Sequence, residues 1–253
     1  MRLIIAPAKQ MKVDTDTLSV MDLPVFSDRA EVLKDYLNSL SFDEQKKLWA
    51  CNDKIAAENH ERFERMELRG QLTPAILAYD GIQYTYMASS VFTYEYFDYV
   101  QEHLRILSGF YGVLKPLDGV VPYRLEMQAK VSLNGCKNLY EFWGDTLYHE
   151  VLPKDRVIIN LASKEYAKCI EKHLQPQDRY ITVVFGDLIG GRVVTKGVYA
   201  KMARGEMVRY AASINAATPE ELKAFSGSCY HFDDMRSTDK EYVFIRSKGE
   251  AIR

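Results

Sequence analysis

Apolar residues recur along this chain with two different periods, and the period assigns most of the elements. Unbroken aliphatic runs at 2–6, 157–161 and 180–185 predict buried strands. The run at 75–79 predicts another, closed by a hairpin-type Asp80-Gly81 pair. Residues 192–195 form a further strand after Gly190-Gly191, and 241–246 alternate polar and apolar as an edge strand does. A helical period takes over from 27 to 67. Val32, Leu33, Tyr36, Leu37 and Leu40 share one face, Ser41 caps a second helix with Asp43 and Glu44 in its first turn, and 46–65 continue as a charged amphipathic helix. Helices also follow over 90–107, 139–151, 164–173 and 198–215, with a short one at 218–225 that has Thr218 as cap and Pro219 in its first turn.

Strands alternating with helices predict an α/β protein, and the Gly190-Gly191 hairpin makes its central sheet mixed rather than purely parallel. No repeat, low-complexity tract or long Pro/Gly/Ser linker divides the chain, so a single domain spanning 1–253 is expected. At 47% hydrophobic and 12% aromatic residues, the chain can bury a large core.

The stretch 104–127, LRILSGFYGVLKPLDGVVPYRLEM, breaks the pattern. A helical run enters a glycine turn, with Gly109 and Gly112 bracketing Phe110 and Tyr111, and Lys115 behind it. Pro116 and the Pro122-Tyr123-Arg124 corner stop any long helix. Glycine lets backbone N–H groups approach an anion closely, so this is the outline of a phosphate-gripping turn. A plain turn between two packed elements uses the same residues.

Charge narrows the choices. The net charge of −2 leaves no overall basic field for nucleic acid or acidic membranes, so any anion site is local. Lys9 stands just past the first strand, where α/β folds place ligand-binding groups. Lys201, Arg204 and Arg209 fall within roughly 140° of one another on the helix 198–215. Gly205 in that helix removes a side chain where something could come close. Asp80, Asp145 and Asp187 each follow a strand or turn signal, as acid/base groups and simple turn formers both do. The histidines and cysteines show no metal-ligand spacing, and no cofactor fingerprint is present, so neither metal nor cofactor is expected. The apolar opening ends at Pro7 and Lys9, and no run nears the ~18 residues of a membrane span. A soluble, cytoplasmic, monomeric protein with reduced thiols is the expectation.

Together, Pro7-Ala8-Lys9, the 107–127 block, Phe142-Trp143-Gly144-Asp145, Ile159-Asn160-Leu161-Ala162-Ser163 and Tyr199 to Gly205 resemble the YaaA peroxide-stress family over nearly the whole chain. The resemblance implies a bacterial cytoplasmic protein that limits peroxide damage, is linked to control of unincorporated iron, and binds DNA. It implies binding through a helix-hairpin-helix-like element and a positively charged cleft. Carried onto this chain, the hairpin is Gly109 to Leu114 with Lys115, and the cleft is Lys9, Arg124, Lys201, Arg204 and Arg209. The chain departs from the usual hairpin by one extra residue between the glycines, and from the family after Gly81, where it reads Ile82-Gln83-Tyr84-Thr85-Tyr86. The alternative from the residues is an enzyme on a phosphorylated or otherwise anionic small molecule, with Lys9 and Arg204 as clamps and Asp80 or Asp145 as acid/base.

Overall fold

In the computed structural model, which describes residues 1–247, the opening aliphatic run becomes the central strand β1 (Arg2–Ile5), its last three residues fully buried. Then come β2 (Gln10–Met11), α1 (Ser27–Ser39), α2 (Phe42–Trp49) and α3 (Asp53–Glu64). They are followed by β3 (Thr73–Pro74), α4 (Ala75–Ala78), β4 (Tyr79–Asp80), α5 (Ile82–Met87) and α6 (Tyr94–His103). Strands β5 (Leu104–Ser108), β6 (Gly112–Leu114) and β7 (Gly119–Val120) precede α7 (Leu139–Trp143) and α8 (Thr146–Val151). The last third holds β8 (Val157–Asn160), α9 (Lys164–Glu171), β9 (Arg179–Ile189), β10 (Arg192–Val194), α10 (Gly197–Ser213), β11 (Tyr230–Phe232) and β12 (Glu241–Arg246).

The main sheet runs β11-β12-β9-β8-β1-β5-β6, with β10 attached to β9 as its eighth strand. Strands β12, β9, β8, β1 and β5 are parallel, while β6, β10 and β11 run antiparallel to their partners. The sheet is therefore mixed, as the glycine pair before β10 predicts. From β1 the chain goes to β5 on one side and returns later to β8 on the other. Such a switch leaves a crevice outside the carboxyl ends of β1 and β8, where open α/β sheets bind ligands.

Several elements differ from the sequence expectation, each for a physical reason. The 46–65 helix breaks at Ala50, which is left-handed at φ 47°, and restarts with Asn52 as the cap of α3. Of the 75–79 run, Ala75–Ala78 form the helix α4 and only Tyr79 is in a strand, because four buried apolar residues carry no period that separates strand from helix. The Asp80-Gly81 pair leads into α5, so no hairpin forms there. The helix expected over 90–107 ends at His103, and Leu104 to Ser108, buried at every position, pair with β1 instead. The 139–151 helix is two, interrupted at Gly144. Strand β12 is not an edge, since β11 covers it.

The largest revision concerns 104–127. Gly109 and Gly112 lie in a β-hairpin, β5 against β6 with Ser108 opposite Gly112, and no helix follows Gly112. The helix-hairpin-helix-like element is thus a strand-turn-strand. Ser108 Oγ accepts the N–H groups of Phe110 (3.1 Å) and Tyr111 (2.8 Å), so the turn amides are already satisfied. Phe110 and Tyr111 are buried in an aromatic cluster with Tyr123 and Tyr79. Gly112 has φ +76°, and a Cβ there would stand 2.9 Å from Leu147 and Trp143. Both glycines serve packing.

Candidate functional site

A cleft of about 690 Å³ occupies the crevice at the carboxyl ends of β1 and β8. Segments from distant parts of the chain build it. The chain leaving β1 supplies Ala6, Pro7, Ala8 and Lys9, and β2 pairs antiparallel with β4 to bring Asp80 and Gly81 alongside. Ala8 and Gly81 approach so closely that a Cβ on the glycine would sit 3.1 Å from that of the alanine. The chain leaving β8 supplies Ser163, the N-cap residue of α9, with Glu165 and Tyr166 behind it. Its amino-terminal dipole end adds attraction for an anion. Helix α10 contributes Lys201 and Arg204.

A further wall is Tyr123 to Glu126, and Gly109 explains why it lies where it does. A Cβ on Gly109 would collide with the Leu125 carbonyl oxygen and stand 3.0 Å from the Glu126 carbonyl carbon. The hairpin glycine therefore lets this segment pass against the sheet, and so places Arg124 and Glu126 in the cleft from a distance. Along the segment, Tyr123, Leu125 and Met127 are buried, while Arg124, Glu126 and Gln128 are more exposed. That period-two alternation is readable in the sequence and would have identified Glu126 beside Arg124.

The charges are arranged unevenly. Four cations, Lys9, Arg124, Lys201 and Arg204, line the cleft with three carboxylates, Asp80, Glu126 and Glu165. Glu126 Oε1 accepts from Lys9 Nζ and from Arg124 Nη2, each at 3.0 Å. Arg204 has no carboxylate at ion-pair distance among the described residues, and burial lowers its pKa. Burial raises the Glu165 carboxyl above its ordinary value, the Gln128 N–H it accepts at 3.1 Å pulls it back, and the charge of Glu126 adds to the rise. Among the buried donors that have no acceptor among the described residues are Gln83 Nε2, Arg124 Nε and Arg204 Nε. All three residues line this cleft. Tyr84 completes the floor and donates to the Ala6 carbonyl at 3.0 Å.

Of the predicted residues, the structure brings together Lys9, Asp80, Arg124, Lys201 and Arg204. The others lie elsewhere. Lys115 follows the edge strand β6, two strands away from β1, and stands beside Asp22, Asp118 and Glu150 rather than in the cleft. Gly109 and Gly112 are interior. Arg209 is on α10 about 140° around from Arg204 and is not among the residues lining the cleft. Asp145 is exposed beside His149. Asp187 is buried in an ion cluster, with Arg246 bonded to both its oxygens at 2.9 Å and Lys196 at 2.8 Å. Sequence reasoning missed Gln83, Glu126 and Glu165. Gln83 and Glu165 carry no local signal, since each reaches the cleft through tertiary packing.

The fold and the cleft define an α/β protein with a crevice lined by four cations and three carboxylates at a topological switch point. The family described as peroxide stress protein YaaA matches residues 1–236, and the chain belongs to that family. It is 55% identical over 246 residues to a UPF0246 protein of Agathobacter rectalis, covering 97% of this chain and 99% of that one. A UPF0246 protein of Desulfitobacterium hafniense is 51% identical over 250 residues, covering 99% and 100%. One from Ligilactobacillus salivarius is 48% identical over 247 residues, covering 98% and 100%.

Proposed function

We propose that the protein serves peroxide-stress defence by holding the phosphate backbone of DNA in this cleft, independently of sequence, and thereby limits damage from unincorporated iron. The observation that carries this reading is the set of three buried donors, on Gln83, Arg124 and Arg204, that line one cleft without an acceptor. A buried donor left without an acceptor costs about 1–3 kcal/mol, and more on Arg204, whose charge has no carboxylate partner among the described residues; an anionic ligand rich in acceptor oxygens removes that cost. Phosphate meets both requirements, and Lys9 and Lys201 at the rim add attraction without reading a base. Ferrous iron associates with the same phosphates, so cations that displace counterions also displace it. In this reading the protein works as a cytoplasmic monomer, and the DNA contacts narrow to Lys9, Arg124, Lys201 and Arg204.

Fluorescence anisotropy with labelled DNA at several salt concentrations tests the reading. With up to four phosphates engaged, the logarithm of affinity falls with the logarithm of salt at a slope of roughly −2 to −4. Arg204→Glu and Lys201→Glu each weaken binding about ten- to thirty-fold for every sequence and flatten the slope by about one. A salt-independent affinity, or variants that bind like the wild type, would refute it.

One observation favours a second reading. The cleft has small-molecule size, and the Glu165 carboxyl, raised by burial, stands where a general acid would be useful. An enzyme acting on a phosphorylated small molecule, with Lys9 and Arg204 as clamps and Asp80 or Glu165 in acid/base roles, fits that geometry. Asp145 has no part in it. Turnover of phosphate esters that disappears in Glu165→Gln while binding persists distinguishes this from the first reading.

A further inference from the structure

The cleft does not end at Arg124. A second cavity of about 700 Å³ lies on the other side of the Arg124–Glu126 pair, and both residues line both cavities. Its walls come from α1, α2 and the segment after Glu126. Tyr36, Lys47, Trp49 and Lys130 are the members that matter for a ligand. Lys47 and Lys130 are exposed and have no carboxylate at ion-pair distance among the described residues. Glu44, which also borders the cavity, is committed to the α2 capping box, where its carboxylate accepts from the Ser41 N–H at 2.8 Å. The second cavity therefore offers two unpaired cations and a half-buried tyrosine ring. Trp49 adds a buried indole N–H with no acceptor among the described residues.

Between the cavities stands a ridge built from one ion cluster. Lys9 reaches Glu126 from the first cavity, and Arg124 reaches the same oxygen from the wall they share. An anion placed on Arg124 and Lys9 would take over the position that the Glu126 carboxylate holds. Each cavity has the volume of a small-ligand site, about the space that one nucleotide needs and far too little for a duplex. Two such cavities, joined through an arginine and flanked by cations on both sides, match a single strand, whose bases alternate with phosphates. Single-strand tracks elsewhere combine a cationic groove with aromatic side chains in the same way.

We propose that the two cavities are consecutive nucleotide subsites of one single-stranded nucleic-acid track, with the phosphate between the nucleotides seated on Arg124 at the ridge. This rests on the phosphate-binding reading of the first cleft and specifies the form of nucleic acid it takes. The strand enters between β1 and β8, crosses the ridge, and leaves past Lys47 and Lys130.

Titration of the full chain with labelled thymidine mononucleotide and thymidine tetranucleotide at low salt tests it. The wild type is expected to bind the tetranucleotide at least tenfold more tightly than the mononucleotide. In the double variant Lys47→Glu/Lys130→Glu that gain disappears, while one mononucleotide still binds in the first cavity. Both lysines are exposed, and the milder pair Lys47→Gln/Lys130→Gln is expected to lose part of the gain, which checks that loss follows charge rather than misfolding. An equal affinity for the two lengths, or a gain that survives in both double variants, overturns the second subsite. Failure of the first reading looks different: Arg204→Glu then binds the mononucleotide as the wild type does, or no nucleotide binds at all.

Discussion

Gly205→Ala is expected to destabilise the protein by about 2–3 kcal/mol and to abolish binding in the cleft, although alanine is the better helix former. Propensity alone points the other way, since alanine favours a helix interior over glycine by about 1 kcal/mol. Geometry decides the sign. A Cβ on Gly205 would overlap the Gln83 carbonyl oxygen and stand 2.7 Å from the Met87 N–H nitrogen. Both are backbone atoms of α5, and backbone cannot swing aside as a flexible side chain can. Helix α10 and α5 therefore touch through the glycine, and a methyl group forces them apart. The cost then passes to the site, because Gly81, Ile82, Gln83 and Tyr84 on one side and Lys201 and Arg204 on the other line the same cleft. Chemical denaturation and DNA binding on one sample check both halves. A variant as stable as the wild type, with its affinity intact, means that the helices do not depend on this contact.

The same contact shows how much of the site was legible beforehand. Gly205 stood out as a missing side chain on a basic helix, and Lys9 stood out as a cation past a buried strand. Both inferences rest on local rules, and both residues proved to border or support the cleft. The glycine pair at 109 and 112 also marked a tight turn correctly. Its amino-terminal flank is a strand where the pattern predicts a helix, because Leu104 to Leu107 are apolar at nearly every position, and such a run has the period of neither. What decides is that β1 offers an open edge to pair with, and that edge is remote in sequence.

Gly109 is the instructive case. Read from sequence, its missing side chain admits an anion, whereas in the structure it admits the Leu125 and Glu126 backbone. The physical property, absence of a Cβ, is the same in both. The partner differs, and a partner 16 residues away in a non-helical segment leaves no periodic signal. The carboxylates of the cleft follow the same logic. Glu126 could be found from the alternation around Arg124, but Glu165 reaches the cleft only because β8 returns to the far side of β1. Topology, not composition, placed it.

Asp118→Asn is expected to raise stability at pH 8 by about 2 kcal/mol more than it does at pH 5. Asp118 is almost fully buried beside Lys115 and is not among the residues lining the cleft. One carboxylate oxygen accepts the Lys115 N–H at 2.8 Å, and the other has no partner among the described residues. Burial pushes its pKa up to about 7, and the Lys115 N–H and the charges of Lys115 and Arg105 reverse only part of that. The folded pKa therefore lies above the unfolded one, so between pH ~4 and ~7 the folded protein holds a proton that the unfolded chain has released. Stability contributed by this group is complete below that window, falls as pH rises through it, and stays lost above pH 7. Other carboxylates act oppositely: Asp187, bonded to Arg246, is held below its ordinary pKa and favours folding as pH rises. The total pH profile mixes these effects, but the difference between the variant and the wild type isolates Asp118. Asparagine keeps an acceptor for the Lys115 N–H and cannot ionise, so its advantage should appear only where the aspartate is charged. Urea denaturation of both proteins at pH 5 and pH 8 gives the four free energies required. An equal difference at the two pH values means that Asp118 is ionised throughout, with a counter-charge compensating it in the fold.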